Sequence, residues 1–261
     1  MPIYIDQIGR IVEIIERPKR IISLVPSITE LLASLDLENE VVGITKFCEY
    51  PILWKKLKTI VGGTKILKPE VIASCQPDLI IANKEENNKV DIEKLEDQFP
   101  VWISDVKNFE DGISLIASLG TITGKPNSAR KLIESIHDAK TTLKSNLANT
   151  PKYKVAYLIW EKPIMVAGGD TYINEMIEMA GGINVFKNRN RYPAISPFEL
   201  ETAKPDYVFL SSEPFPFKGK HLETYKEICQ TAVIQLVDGT YFSWYGSRML
   251  PAMRYFHKFR D

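Results

Sequence analysis

The sequence predicts an α/β protein made of two similar lobes with mostly parallel sheets, joined by one long helix. Three observations support this prediction. Strand and helix patterns alternate along the chain, which is typical of parallel sheets covered by helices on both faces. One pattern occurs twice, 128 residues apart. A polar segment between the copies carries apolar residues at helical spacing. Each lobe is therefore expected to be Rossmann-like.

The first half of the chain shows the alternation most clearly. The stretch "YIDQIGRIVEI" predicts a hairpin that turns at Gly9. After it, short apolar runs predict strands, and apolar residues three or four positions apart predict helices. The predicted elements are, in order, strand 21–25, helix 28–35, strand 41–44, helix 69–75, strand 79–82, helix 91–98, strand 101–103 and helix 109–119.

The repeated pattern is "LKPEVIASCQPDLIIA" (67–82) and "ISPFELETAKPDYVFL" (195–210). In each copy a proline suits the first turn of a helix, a Pro-Asp pair ends that helix, and an apolar strand follows at once. A repeat at about half the chain length indicates two similar lobes.

The segment between the lobes predicts one long helix that begins at Pro126. About 24 residues at 1.5 Å each would span roughly 36 Å, enough to run along both lobes and join them stiffly. We therefore expect an N-terminal lobe over 1–124, the connecting helix over 125–150 and a C-terminal lobe over 151–261.

Composition limits the classes of partner. The chain has 44% hydrophobic and 25% charged residues, which is typical of a globular protein. Its 33 basic and 33 acidic residues balance, so nucleic acid and anionic membrane surfaces are not expected as main partners. The three cysteines form no C-x-x-C pair, which argues against a disulfide framework and a structural zinc site.

The N-terminal stretch "MPIYIDQIGR" has neither the positive region nor the apolar region of a secretory signal. No apolar run approaches the roughly 18 residues of a membrane span. We therefore expect either a cytosolic protein or an exported protein whose leader has been replaced by a new Met.

The stretch "IISLVPSITELLASL" breaks at Pro26-Ser27, where a predicted strand ends and a helix follows. Ligands of open parallel sheets bind beyond the carboxyl ends of strands, so Pro26 and Ser27 are candidate ligand contacts. Ser27 and Glu30 also have the S-x-x-E spacing of a capping box, which would explain both residues without a ligand.

Five ordered segments resemble the cobalamin- and iron-siderophore-binding proteins of ABC importers, which have a helical backbone between their lobes. The segments are "RIISLVPSITELLASLDLENEVVGITKFCEYP", "VGGTKILKPEVIASCQPDLIIA", "AGGDTYINEMIEMAGGINVF", "RYPAISPFELETAKPDYVFL" and "LVDGTYFSWYGSRML". Within that family the sequence is most similar to members that bind vitamin B12.

The resemblance implies a ligand cleft between the lobes, lined by aromatic side chains from loops at the strand ends. In "KFCEYP", Phe47 or Tyr50 would take the aromatic role of the first lobe. The residues that the resemblance and the strand-end argument place at the ligand are Pro26, Ser27, Phe47, Cys48, Tyr50, Trp160, Tyr192, Tyr241, Phe242, Trp244, Tyr245 and Arg248.

Each aromatic candidate could instead belong to the core. Trp160 and Phe242 flank apolar strands, so core and cleft are equal alternatives for them. A loop setting among Pro, Ser, Gly and Arg favours the cleft for Tyr50, Tyr192, Trp244 and Tyr245.

The chain also departs from the B12 binders. It has Thr64 and Asn83-Lys84 where they have tryptophans, and Trp244 where they have an arginine. A first lobe with fewer aromatic residues suits a smaller or more polar ligand. The expected ligand is therefore a corrinoid or a metal chelate such as a ferric siderophore or haem.

The resemblance further implies docking to an ABC permease through one surface glutamate per lobe. Glu70 and Glu199 are the candidates, and each follows a helix-starting proline. A carboxylate in a first helical turn is also favoured by the helix dipole alone. We expect a monomer that binds a small-molecule ligand and this permease.

Enzyme motifs are weak. "GTITGKP" has the wrong spacing for a P-loop, and no HExxH occurs. Cys48 could bind a metal or act as a nucleophile, but Glu49 beside it has the wrong sign to lower a thiol pKa. We therefore expect no catalytic residue, no cofactor and no resident metal. The alternatives are a cytosolic corrinoid or tetrapyrrole carrier of the same fold, and an enzyme that uses Cys48.

Overall fold

The computed structural model describes residues 3–260, so Met1, on which the expectation about localisation depends, lies outside the described residues. The chain divides into two compact units. Unit 1 contains the chain up to Val106, Glu110–Ser135 and a short segment, Tyr245–Arg248, which we call the C-terminal insert. Unit 2 contains Lys107–Phe109, Ile136–Trp244 and the chain from Met249 onward.

Unit 1 is built on a five-stranded parallel sheet in the order β5-β4-β3-β6-β7. A separate antiparallel hairpin, β1 and β2, precedes it and turns near Gly9, whose φ is +84°. The strands are β1 (Ile3–Ile5), β2 (Ile11–Glu13), β3 (Ile21–Ser23), β4 (Val41–Ile44), β5 (Thr59–Ile60), β6 (Leu79–Asn83) and β7 (Val101–Ser104).

Helices follow the strands of unit 1 as the alternation predicts. They are α1 (Pro26–Ser34), α2 (Trp54–Leu57), α3 (Pro69–Ser74), α4 (Lys89–Glu96) and α5 (Phe109–Ile122). Side chains from β3, β6 and β7 form an apolar core with α3 and α4, in which Ile22, Ile80 and Ile72 are fully buried. Burial of this kind is the main stabilising term of such a unit.

The predicted connecting helix is α6 (Pro126–Leu147), 22 residues long. Its residues up to Ser135 belong to unit 1 and those from Ile136 to unit 2. Among the described residues, no helix is both long enough and apolar enough to cross a membrane.

Unit 2 contains a six-stranded sheet in the order β11-β9-β8-β12-β13, with β10 also paired to β8. Strands β8, β10, β12 and β13 are parallel to one another. Strand β9 pairs antiparallel with β8 on one side and with β11 on the other. The elements are β8 (Tyr153–Trp160), β9 (Ile164–Val166), α7 (Tyr172–Met179), β10 (Gly182–Asn184), β11 (Ala194–Ile195), α8 (Pro197–Thr202), β12 (Tyr207–Ser211), α9 (Leu222–Ile228), β13 (Val233–Val237), α10 (Thr240–Ser243) and α11 (Met249–Phe256).

The repeat seen in the sequence has a structural counterpart. Helices α3 and α8 begin 128 residues apart, and so do strands β6 and β12. The second residue after each helix has a left-handed backbone, with φ of +46° at Gln76 and +47° at Lys204. The following aspartates, Asp78 and Asp206, accept backbone hydrogen bonds from the residues that precede β3 and from Lys154 at the start of β8. The predicted fold class is thus confirmed, since each unit carries one copy of the same helix–strand module.

Candidate ligand-binding surfaces

The topological switch point of unit 1 lies between β3 and β6. The chain leaves β3 toward β4 and β5 on one side, and toward β6 and β7 on the other, so the loops after β3 and β6 diverge. Asn87 ties these loops together: its Nδ2 donates to the carbonyls of Leu24 and Thr64 at 3.2 and 2.9 Å. Its Oδ1 accepts from the Asn83 amide at 2.8 Å.

The C-terminal insert packs against α1 at this switch point. Gly246 has φ of +81°, and a Cβ there would lie 3.2 Å from the Leu31 Cβ. Tyr245 is buried beside Ser27, and burial raises the pKa of its hydroxyl well above the ordinary value. Pro26 and Ser27 are buried as well. None of Pro26, Ser27 and Tyr245 therefore offers an exposed side chain, and their contact with a ligand stays a prediction.

The start of α1 also differs from the predicted capping box. Val25 is the N-cap and caps with no side-chain hydrogen bond, while Pro26 occupies the first turn. The Glu30 carboxylate instead accepts from Arg248 Nη2 at 2.6 Å and from Arg248 Nε at 3.1 Å. The predicted capping box is therefore wrong, and Glu30 has a partner 218 residues away in sequence.

Cys48 lies inside unit 1 rather than at an open edge. It is 1% exposed, and its Sγ is 3.1 Å from Thr29 Oγ1 and 3.3 Å from Thr45 Oγ1. Burial raises the pKa of the thiol, although the two threonine hydroxyls oppose that shift. A neutral, buried thiol is neither a ready nucleophile nor a ready metal ligand. Cys48 is thus a buried residue of unit 1, and its predicted contact with a ligand stays a prediction.

Unit 1 exposes a group of apolar side chains at the carboxyl ends of its strands, which we call the unit 1 aromatic surface. Phe47 is 52% exposed, Tyr50 is 41% exposed and Ile66 is 80% exposed. Two backbone bonds of 2.8 Å, from Lys46 to Gly62 and from Gly63 to Ile66, hold the two loops that carry these side chains. Large apolar side chains exposed at strand ends are candidates for contact with a ligand or partner.

Arg248 lies behind Tyr50. Its guanidinium carbon is 4.7 Å from the centre of the Tyr50 ring, within the range of a cation–π contact. Arg248 itself is 8% exposed. Arg248 therefore contacts Tyr50, a candidate ligand residue, while its own contact with a ligand stays a prediction.

Unit 2 presents Trp160 as the last residue of β8, at the carboxyl end of that strand. The indole is 38% exposed, donates from Nε1 to the Lys162 carbonyl at 3.2 Å, and packs edge-on against Phe215 at 5.6 Å. These contacts fix the ring while leaving part of it at the surface. The alternatives for Trp160 were the core and the cleft, and its partial exposure argues against the core.

The Glu213 carboxylate, which the sequence analysis did not single out, holds the loop that contains Ser243 and Trp244. Glu213 Oε1 accepts from Trp244 Nε1 at 2.7 Å and from Ser243 Oγ at 2.5 Å. Trp244 is half-buried under this constraint. The only signal in the sequence is an acid placed between a strand end and a proline in "SSEPF".

Tyr192 and Tyr241 are both half-buried. The Arg191 guanidinium lies 5.8 Å from the Tyr192 ring centre. Tyr241 stacks on Tyr255 at 4.4 Å with an interplanar angle of 26°. Trp160, Trp244 and Tyr192 are the partly exposed aromatic side chains among the predicted ligand residues of unit 2, and we refer to them together as the unit 2 aromatic surface. Tyr241 instead stacks on Tyr255.

Phe242 belongs to the core of unit 2. It is 0% exposed and packs against Tyr157, Phe209 and Phe256 with ring centres 5.1, 5.9 and 4.9 Å away. Of the two alternatives for Phe242, the core is therefore the one that its burial supports.

The two predicted docking glutamates differ. Glu70 is exposed in the first turn of α3. Glu199 Oε1 accepts from Arg189 at 2.7 Å, and Oε2 accepts from the Ser196 amide at 2.8 Å in a true capping box. These bonds, from the Ser196 backbone first, lower the pKa of Glu199. At the repeat offset of 128 the counterpart of Glu70 is not Glu199 but Phe198, which is 73% exposed.

A surface pocket of about 310 Å³ lies beside α8. Its lining residues are Val185, Phe186, Asn188, Arg189, Phe198, Glu199, Thr202 and Ala203. In the part of the chain that the structure describes, no group of three or more His, Cys, Asp or Glu side chains is placed to hold a metal ion.

Two α/β units, one with a parallel sheet and one with a mostly parallel sheet, and both with exposed aromatic side chains near the strand ends, define a two-lobed solute-binding protein fold. The chain belongs to the periplasmic binding protein family, whose pattern matches residues 21–237. It is 30% identical over 199 residues to the vitamin B12-binding protein of Vibrio parahaemolyticus, covering 75% of this chain and 72% of that protein.

Solved structures show the same fold. The periplasmic vitamin B12 binding protein of Vibrio cholerae matches with a TM-score of 0.81 and 22% identity, over 93% of this chain and 96% of that one. The periplasmic haem-binding protein RhuT of Roseiflexus sp. RS-1 matches with a TM-score of 0.77 and 20% identity, over 92% and 98%. These matches confirm the resemblance that the sequence motifs indicated.

Proposed function

We propose that this chain is the substrate-binding component of an ABC importer and that it binds a corrinoid or a metal chelate, such as a ferric siderophore or haem. The observation that carries the proposal is the set of exposed aromatic side chains at or near the strand ends of both units. Relatives and structural neighbours that bind vitamin B12 and haem support the ligand class.

Aromatic surfaces of this kind suit a flat ring system with a polar rim. A buried aromatic side chain covers about 150–250 Å², so at about 25 cal/mol/Å² a few rings supply a large part of the roughly 12 kcal/mol that nanomolar binding requires. The Lys46 ammonium lies 5.0 Å from the Phe47 ring centre, and Arg191 lies beside Tyr192. Cations next to both surfaces favour a ligand whose rim carries carboxylate or other anionic groups.

We further propose that the ligand is bound without chemical change. The nucleophile that the sequence offered, Cys48, is buried and its thiol pKa is raised. Both properties disfavour the thiolate that covalent chemistry would need.

The first test is ligand identification. Native mass spectrometry of the protein purified from its source organism should show a retained mass of a corrinoid, haem or iron chelate. In parallel, cyanocobalamin and haemin should quench tryptophan fluorescence, because Trp160 is exposed at the proposed surface while Trp54 and Trp102 are buried.

Variants locate the quenching. Trp160→Phe should remove most of the quenched signal, and Tyr50→Ala should weaken binding at least severalfold. Trp54→Phe is the matched control, since this buried residue should change neither the quenching nor the affinity. Absence of any retained ligand, together with absence of quenching by both probes, would overturn the proposed ligand class.

As a partner we propose an ABC permease, with the protein acting outside the cytoplasmic membrane as its family name suggests. Glu70 is exposed and so can pair with a basic group of the permease. Glu199 could serve in unit 2, but only by sharing its carboxylate with Arg189 and Ser196.

Charge reversal tests docking. Glu70→Lys should reduce association with the reconstituted permease sharply, because like charges across an interface are strongly unfavourable. Glu223→Lys is the matched control, since Glu223 is also an exposed first-turn acid of a short helix, α9. Equal association by both variants would remove Glu70 from the proposed docking surface.

A further inference from the structure

We propose that Arg248 and Glu30 act as positioning residues that hold the Tyr50 ring in a fixed orientation for the ligand. This inference rests on the proposed function, because it takes Tyr50 as a ligand contact. It assigns to Arg248 a role behind the ligand surface rather than on it.

The contacts form a chain from α1 to the surface. Glu30, in the second turn of α1, accepts two hydrogen bonds from Arg248, at 2.6 Å from Nη2 and 3.1 Å from Nε. The same guanidinium lies 4.7 Å from the Tyr50 ring centre. One guanidinium group thus pairs with a carboxylate and also lies over an aromatic ring, a combination for which the arginine side chain is suited.

Arg248 and Glu30 are more buried than Tyr50, which is the residue proposed to contact the ligand. The Arg248 side chain is 10% exposed and the Glu30 side chain 21%. Tyr50 is 41% exposed. The supporting pair is therefore largely shielded from solvent and salt, while the ring that it supports keeps accessible surface.

The position of Tyr50 explains why support is needed. Tyr50 sits in the loop between β4 and α2, outside the hydrogen-bonded strands and helices of unit 1, and its side chain is 41% exposed. An exposed ring that rotates freely loses conformational entropy when a ligand orders it. A cation held against one side of the ring removes part of that freedom before the ligand binds.

The C-terminal insert delivers Arg248 to this place. Gly246 packs on Leu31 of α1, and Arg248 follows it by two residues. The insert is thereby anchored on the same helix that carries Glu30. Orientation of Tyr50 is thus coupled to packing of the insert on α1.

A ligand-independent experiment tests the positioning itself. The protein is prepared with 4-fluorophenylalanine in place of Tyr50, and its ¹⁹F resonance is recorded for four backgrounds: unchanged, Arg248→Met, Arg248→Lys and Arg10→Met. Arg10 is the matched control, since it also pairs with carboxylates of unit 1, Asp6 and Glu96, but does not touch Tyr50.

We expect Arg248→Met to shift the resonance toward that of the urea-unfolded protein, and Arg10→Met to leave it in place. Arg248→Lys keeps a charge for Glu30, so it preserves folding if the methionine variant does not fold, and it should still shift the resonance because it lacks the planar group. An unchanged resonance in a folded Arg248 variant would overturn the positioning role.

A double-mutant cycle then connects positioning to binding, with cyanocobalamin and haemin as probes. In the Tyr50 background, Arg248→Met should weaken binding by about two- to fivefold, the range of a partly exposed cation–π contact. In the Tyr50→Ala background, the same change should have no further effect. A purely structural role would weaken binding equally in both backgrounds.

The two experiments fail separately. If neither probe binds the wild-type protein, the proposed ligand class is wrong while the ¹⁹F result still decides the role of Arg248. If the probes bind and the cycle shows no coupling, the positioning role is wrong and the proposed function stands.

Discussion

Phe242→Ala should destabilise the protein more than any other aromatic truncation at the predicted ligand residues. The side chain is 0% exposed, so a cavity would replace it. A buried phenylalanine covers about 150–250 Å², which at about 25 cal/mol/Å² corresponds to about 4–6 kcal/mol for the whole side chain. Alanine keeps part of that area, so the expected loss is about 3–5 kcal/mol.

The neighbours of Phe242 place the loss at the upper end of this range. Its ring contacts the rings of Tyr157, Phe209 and Phe256, with centres 4.9 to 5.9 Å away, and all three contacts would be lost. These neighbours belong to separate elements, β8, β12 and α11, so they cannot easily move together to fill the cavity.

Urea denaturation followed by circular dichroism measures the change in free energy of unfolding. Phe198→Ala is the matched control, because Phe198 is 73% exposed and its truncation should change stability by no more than about 0.5 kcal/mol. A loss below about 1 kcal/mol for Phe242→Ala, equal to that of the control, would refute the assignment of Phe242 to the core.

Three further predictions test other parts of the structure. Gly246→Ala should cost about 1–2 kcal/mol in urea denaturation, because φ is +81° and the new Cβ would crowd Leu31; an unchanged midpoint would contradict the packing of the insert. Cys48 should be alkylated by iodoacetamide far more slowly in native than in unfolded protein, and its contribution to stability, complete below about pH 8.5, should decline as pH rises, since burial raises the thiol pKa. Glu199→Gln should reduce the loss of stability on acidification below about pH 4.3, because bonds from Ser196 lower the native pKa and their contribution disappears as the carboxylate is protonated; parallel pH profiles of variant and wild type would argue against it.

The sequence predicted features that depend on near neighbours in the chain. Helices α3 and α8 follow from a proline in the first turn and a Pro-Asp pair after the last, and both lie where these signals place them. The alternation of strands and helices likewise predicted the parallel sheet of unit 1, because each element could be recognised from its own local sequence. Hydrophobic periodicity reports local structure directly.

The candidate site was less predictable because its geometry depends on distant contacts. Glu30 accepts a hydrogen bond from Arg248, which is 218 positions away in the sequence. The local sequence around Ser27 predicts a capping box and carries no sign of this distant partner. Trp160 and Phe242 have similar apolar surroundings in sequence, yet one is 38% exposed and the other 0%. Tertiary packing alone separates them.

The C-terminal insert limits how this protein can be recombined with its relatives. A chimaera that joins residues up to Ser135 to the second half of another family member would receive a foreign loop in place of Tyr245–Arg248. That loop would have to supply a glycine against Leu31 and a basic group for Glu30, or α1 would lose part of its covering. A designed exchange of binding specificity should therefore transplant α1 and the insert as one unit, although more than 200 residues separate them in the chain.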